Sequence, residues 1–123
     1  MKRMVLLALG LIVAQALAAL APAYGETMIW KFRSYHPNIV DVQLYASVRN
    51  NVWPGNGRVW SLDDSEVHSM RINCVAGEKV CYGAWVRGTE SGYWGGGRNN
   101  RQRCSNCCYV CDNMETPVIN LNR

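Results

Sequence analysis

Beyond residue 26 hydrophobic and polar positions alternate with a period of two, and turn residues interrupt the alternation at short intervals. Successive side chains of a strand point to opposite faces, so this is the pattern of half-buried strands in an antiparallel sheet. Met28, Trp30 and Phe32 alternate with Ile29, Lys31 and Arg33, which predicts a first strand with two partly apolar faces. Val40, Val42, Leu44 and Ala46 then share one face against Asp41, Gln43 and Ser47, after a break at His36-Pro37-Asn38. Pro54-Gly55 and Asn56-Gly57 are turn dipeptides that lead into a short strand over residues 58–62. A further turn at Asp63-Asp64-Ser65-Glu66 precedes His68, Met70, Ile72 and Cys74, which alternate with Ser69, Arg71 and Asn73. Residues 75–79 then read as the turn of a hairpin whose return strand covers residues 80–87.

The alternation stops at residues 88–103, where five glycines in sixteen positions forbid a regular element. A loop of this kind is where binding residues concentrate. One more short strand at its end and another over residues 118–121 complete the expectation. No helical periodicity precedes residue 100. The predicted fold is all-β, a small antiparallel sandwich or partly open barrel with a disulfide-stapled C-terminal segment.

The N-terminal segment changes the setting of this domain. Lys2 and Arg3 precede an apolar run over residues 4–21 that only Gln15 interrupts, and small residues follow it. That is the layout of a cleavable secretory signal helix. Cleavage after Ala23 or after Gly25 satisfies the small-residue rule, and the second is favoured, giving a signal peptide over 1–25 and one domain over 26–123. A periplasmic or secreted location follows, with no membrane attachment after cleavage.

Removing Lys2 and Arg3 lowers the 13 basic residues to 11, against 9 acidic ones. So small an excess gives no warrant for a nucleic-acid partner, which calls for a clustered basic face. The mature domain is small enough that cross-links would supplement its core.

Six cysteines supply candidates, Cys74, Cys81, Cys104, Cys107, Cys108 and Cys111. In an exported chain they read as disulfides. Cys74 and Cys81 flank the predicted hairpin turn, so the simplest bond joins them. The remaining four form C-x2-C-C-x2-C; a Cys107–Cys108 bond would strain the ring between neighbours, which leaves Cys104–Cys107 with Cys108–Cys111, or Cys104–Cys108 with Cys107–Cys111. Bonds from the hairpin to the cluster remain an alternative, because longer loops restrict the unfolded chain more. A zinc site built on the cluster is the competing reading, although structural zinc usually draws its thiolates from two separated knuckles. A thioredoxin-like redox role would need C-x-x-C at a helix N-terminus in a βαβ context, and the sequence offers none.

His36 and His68 lack any accompanying nucleophile motif, and Asp63-Asp64-Ser65-Glu66 lacks the spacing of a calcium loop, so no catalytic group and no cofactor are assigned. The aromatic content points elsewhere. Five tryptophans and six tyrosines accompany a single phenylalanine. Trp60 and Trp85 lie in strands and belong to the core, whereas Trp53 and Trp94 sit among Pro and Gly. Exposed Trp or Tyr beside Asn and Arg suits sugars and other polar polymers. The expected function is a non-enzymatic binding or interaction module for envelope polysaccharide or protein. Trp53, Tyr93, Trp94 and Arg98 form its candidate surface, and Arg101 and Arg103 add a local basic stretch.

Overall fold

The computed structural model describes residues 24–89 and 91–122. Most of the predicted signal segment therefore lies outside the described residues. The rest is all-β: β1 (Tyr24–Ser34), β2 (Val40–Ala46), β3 (Asn51–Trp53), β4 (Trp60–Leu62), β5 (His68–Val75), β6 (Lys79–Val86), β7 (Tyr93–Gly95), β8 (Cys108–Val110) and β9 (Met114–Leu121). One 3₁₀ turn at Arg98–Asn100 lies in the glycine-rich stretch.

The strands form two sheets. The small sheet has the order β5-β1-β9. In the large sheet β2 and β6 are central; β3 and β4 pair with the free edge of β2, and β7 and β8 with the free edge of β6. The pairing departs from the purely antiparallel expectation in one place, where β9 runs parallel to β1. A register shift between Ile29 and Lys31 interrupts that pair, and Thr116 Oγ1 accepts from the Lys31 N–H at 3.0 Å.

The expected β5–β6 hairpin does not form. β5 pairs with β1 along nearly its whole length, and both edges of β6 are occupied by other strands. The turn between them is an arch that carries the chain from one sheet to the other. Gly77 takes a left-handed φ of 83° there, the Glu78 N–H donates to the Val75 carbonyl, and Gly77 and Glu78 exchange backbone hydrogen bonds with Cys111. Alternation alone does not distinguish a hairpin from an arch, because both put Met70, Ile72 and Cys74 against the core.

That core lies between the sheets. Met28, Trp30 and Phe32 of the small sheet and Val40, Val42 and Leu44 of the large one are fully buried. Trp30 stacks on Phe32 at 5.9 Å and meets Tyr109 and Tyr82 of the large sheet edge-on at 5.5 and 6.1 Å. Burial of side chains this large contributes about 1.5–3 kcal/mol each. Trp60 packs against the core from β4, as expected. Trp85 is also buried, but alternation along β6 directs it to the opposite face of the large sheet, beside its cross-strand neighbours Asp41 and Tyr93.

Candidate functional site

The outer face of the large sheet is not the solvated polar surface that β2 suggests. Asp41, Gln43 and Tyr45 alternate onto it, and all three are buried. The Asp41 carboxylate accepts from Arg87 Nε and Nη2 at 3.1 and 2.8 Å and from Ser61 Oγ at 3.1 Å. Gln43 Nε2 donates to the Arg58 carbonyl at 3.0 Å. The Tyr45 hydroxyl lies 2.9 Å from Gln43 Oε1 and 3.1 Å from the Gly97 carbonyl, so its one proton serves two acceptors. Burial pushes its pKa up to about 12.

The cover over this face is the glycine-rich segment. A Cβ on Gly83 would overlap the Gly97 carbonyl and come within 2.8 Å of the Tyr45 ring, so the segment lies directly on β6 only because residue 83 has no side chain. Gly96 N–H donates to the Tyr82 carbonyl at 3.0 Å, and Gln102 N–H to the Gly96 carbonyl at 2.9 Å. Asn99 and Asn100 turn the chain with φ near 58° and 55°, a region that Asn tolerates better than most residues.

Three adjoining clefts open around this cover. The first, about 140 Å³, lies between Trp85, Tyr93, Arg98 and Arg101. The second, about 570 Å³, lies between Ser47, Lys79, Arg103 and the cysteine cluster. The third, about 250 Å³, is lined by Tyr45, Asn50, Asn51, Asn99 and Asn100. Gln102 lines both the first and the second, while Ser47 and Asn100 line both the second and the third. Lys79, Arg98, Arg101 and Arg103 bring four cations to the walls, and no carboxylate of the described residues lines any of the three.

The four aromatic and basic candidates do not form one surface. Tyr93 and Arg98 share the first cleft. Trp94, the next residue along β7, points to the other face, where it packs against the core. Its Nε1 donates to the Asn122 carbonyl at 2.6 Å and its ring meets His36 edge-on at 6.0 Å. Trp53 packs on the core from β3, with the Arg49 guanidinium 5.7 Å from its ring centre. Sequence reasoning missed Lys79, Gln102, Ser47 and Asn100 as cleft residues. The density of Asn around positions 50 and 99 was the available signal.

The cysteines pair as Cys74–Cys111, Cys81–Cys108 and Cys104–Cys107. The expected Cys74–Cys81 bond is overturned, because Cys74 faces the inter-sheet core whereas Cys81 lies on the outer face of the large sheet, level with Cys108 of β8. Cys104–Cys107 forms as one of the two expected cluster pairings had it, whereas Cys108–Cys111, Cys104–Cys108 and Cys107–Cys111 do not, because Cys108 and Cys111 bond to the strands as the hairpin-to-cluster alternative allowed. With sequence separations of 37, 27 and 3, the three bonds restrict the unfolded chain by roughly 4, 3.5 and 2 kcal/mol in the chain-entropy model. The Sγ atoms of Cys81, Cys107 and Cys108 lie within 4.8 Å of one another, yet each belongs to a disulfide, so a thiolate metal site there would first require reduction.

His68 Nε2 lies 2.7 Å from Asp64 Oδ1, and this hydrogen bond holds the Asp64 carboxyl below its ordinary value. Asp64 also accepts from the Glu66 N–H at 2.9 Å, closing a local turn. His36 Nδ1 accepts from the Asn38 N–H at 3.0 Å. The two histidines are thus engaged in local structure.

The disulfides point to an oxidising, extracytoplasmic environment, and no helix among the described residues is long and apolar enough to cross a membrane. Comparison with protein-family models, curated proteins and solved structures finds no match.

Proposed function

We propose that this chain is an exported, periplasmic or secreted binding module whose ligand is an acidic polysaccharide of the cell envelope. One observation carries the reading: three adjoining clefts lined by four cations, side-chain amides and the Tyr93 ring, with no carboxylate of the described residues among them. Guanidinium groups bind carboxylate or sulfate through paired hydrogen bonds, amides and hydroxyls meet sugar hydroxyls, and a partly exposed tyrosine offers a ring face to a pyranose. Tyr93 is 45% exposed, which leaves that face available. The pairing of Tyr24 with Val75 in β1 supports signal cleavage after Ala23, since a cut after Gly25 would remove that pair. The intact mass of the exported protein distinguishes the two cuts.

The reading is tested by retention on immobilised polygalacturonate, with neutral dextran as the control. The wild-type chain is retained on the acidic polymer and released by salt, and the double variant Arg98→Gln/Arg101→Gln loses at least about tenfold in affinity, as expected for two desolvated charge-assisted contacts. Tyr93→Ala weakens retention less. Equal retention of the double variant and the wild type, with unchanged near-ultraviolet circular dichroism, overturns the reading.

A further inference from the structure

Two disulfides touch in the wall of the second cleft. The Sγ atoms of Cys107 and Cys108 are 3.7 Å apart, although one belongs to Cys104–Cys107 and the other to Cys81–Cys108. All four cysteines line the 570 Å³ cleft, together with the cations Lys79 and Arg103. We propose that Cys104–Cys107 is an exchange-active disulfide that accepts electrons from a small thiol entering this cleft and passes them to Cys81–Cys108. This assignment does not rest on polysaccharide binding, although both use the second cleft.

Access, charge and topology each support the assignment. Cys104 is half-buried in a segment without strand pairing, so an external thiolate can reach its sulfur from the cleft, whereas Cys107 is buried behind it. Thiolate is both the attacking and the leaving species in exchange, and nearby cations stabilise it. Asn106 Oδ1 stands 3.9 Å from Cys104 Sγ, placed to accept from the thiol once that sulfur is reduced and protonated. The bond spans only three positions of chain, so opening it releases little conformational constraint. Cys74–Cys111 has the opposite character. Both of its cysteines are 1% exposed within the core, and an external thiol must await local unfolding to reach them.

A thiolate R–S⁻ bonds to Cys104 Sγ, the Cys104–Cys107 bond breaks, and its electron pair leaves on Cys107 Sγ. A second thiolate attacks the R sulfur of this mixed disulfide, releasing R–S–S–R and the Cys104 thiolate. Two thiols are oxidised and one disulfide is reduced, with the thiol protons passing to the cysteines or to solvent. Cys107 thiolate then attacks Cys108 Sγ and expels Cys81 as thiolate, which forms a Cys107–Cys108 bond between neighbours whose strain makes it transient. Attack of Cys104 thiolate on Cys107 Sγ closes Cys104–Cys107 again and frees Cys108. Cys81 and Cys108 end reduced, and Cys104–Cys107 ends oxidised.

The test treats the folded chain with reduced glutathione, quenches samples with N-ethylmaleimide over time, and maps the labelled cysteines by mass. Label is expected first at Cys104 and Cys107 and next at Cys81 and Cys108. Each of these pairs should label at least about tenfold faster than Cys74 and Cys111, while near-ultraviolet circular dichroism stays unchanged. Lys79→Gln/Arg103→Gln slows the first labelling several-fold. In Cys104→Ala/Cys107→Ala, Cys81–Cys108 is reduced several-fold more slowly than in the wild type because the internal donor is gone. Unchanged or faster reduction in that variant overturns the relay. Labelling of all six cysteines together with loss of the dichroism signal, or Cys104 labelling no faster than Cys74, overturns the exchange activity itself. If the double variant does not fold, the order of labelling in the wild type still decides.

Discussion

On the small sheet, Ser69 and Arg71 of β5 and Glu115 of β9 alternate out of the core into solvent, and Lys31 of β1 reaches 2.8 Å from Glu115 across the open face. On the large sheet the corresponding alternation delivers Asp41, Gln43 and Tyr45 of β2 and Gly83 and Trp85 of β6 to a face that is buried. Both faces carry charged or polar side chains at alternate positions. They differ in what lies over them, because the glycine-rich segment and the disulfide-bonded residues around it cover only the large sheet. Period-two patterning thus reports that one face of a strand is apolar without reporting that the other is wet. A polar face can be covered when each buried group has a hydrogen-bond partner, and Asp41, Gln43 and Tyr45 all do.

The same side chain placed on both outer faces should act most differently. Gly83→Val puts branched carbon where the Gly97 carbonyl and Tyr45 ring stand, and the cover must lift. A loss of about 3 kcal/mol is expected in urea unfolding, together with loss of the Tyr45 environment in near-ultraviolet circular dichroism. Ser69→Val, exposed on the small sheet, should change stability by less than about 0.5 kcal/mol. Equal effects of the two substitutions would show that the cover is not packed on β6.

Much of the strand structure was legible in the sequence. The alternations through Met28, Val40, Met70 and residues 80–87 correspond to β1, β2, β5 and β6 with bounds that differ by a few residues at most. Partnership was not legible, since Cys74 and Cys81 satisfy the same local pattern whether their strands pair or face each other across a core. The cover was hidden for a related reason. Five glycines between residues 88 and 103 mask β7, and without that strand the opposed directions of Tyr93 and Trp94 could not be read. Gly83, a glycine inside a strand, was the residue that marked a close backbone approach.

A second pair of substitutions compares the ion pairs on the two faces. Arg87→Ala strips the guanidinium from the Asp41 carboxylate, whose side chain is 8% exposed, and leaves it only Ser61 among the partners seen here. A buried carboxylate without its cation is destabilising, so the urea midpoint should fall clearly. Lys31→Ala removes a pair whose Glu115 side chain is 56% exposed, and the midpoint should barely move. Equal shifts would mean that water reaches Asp41 as freely as Glu115.

The smallest expected difference is one of acid dependence. The Glu78 carboxyl is held below its ordinary value chiefly by the Arg49 guanidinium, which approaches its two oxygens at 2.8 Å each, and Glu115 is lowered in the same sense by Lys31. A carboxyl lowered in the folded state contributes its stability fully above its unfolded value, near 4.5, and loses it as pH falls through the folded value. Both pairs therefore predict a thermal midpoint that declines below about pH 4.5. The decline should differ in its response to salt. Glu78 also accepts from the Val75 N–H at 2.7 Å at the arch, and its side chain is only 8% exposed, so added salt screens it little. Glu78→Gln should flatten the acid limb at both low and high ionic strength. Glu115→Gln should flatten it only at low ionic strength. Thermal melts from pH 3 to 6 at about 0.02 and 0.5 M salt check this, spanning Debye lengths from roughly 20 to 4 Å. If the two variants respond alike to salt, the arch that joins the sheets is as open to solvent as the exposed face of the small one.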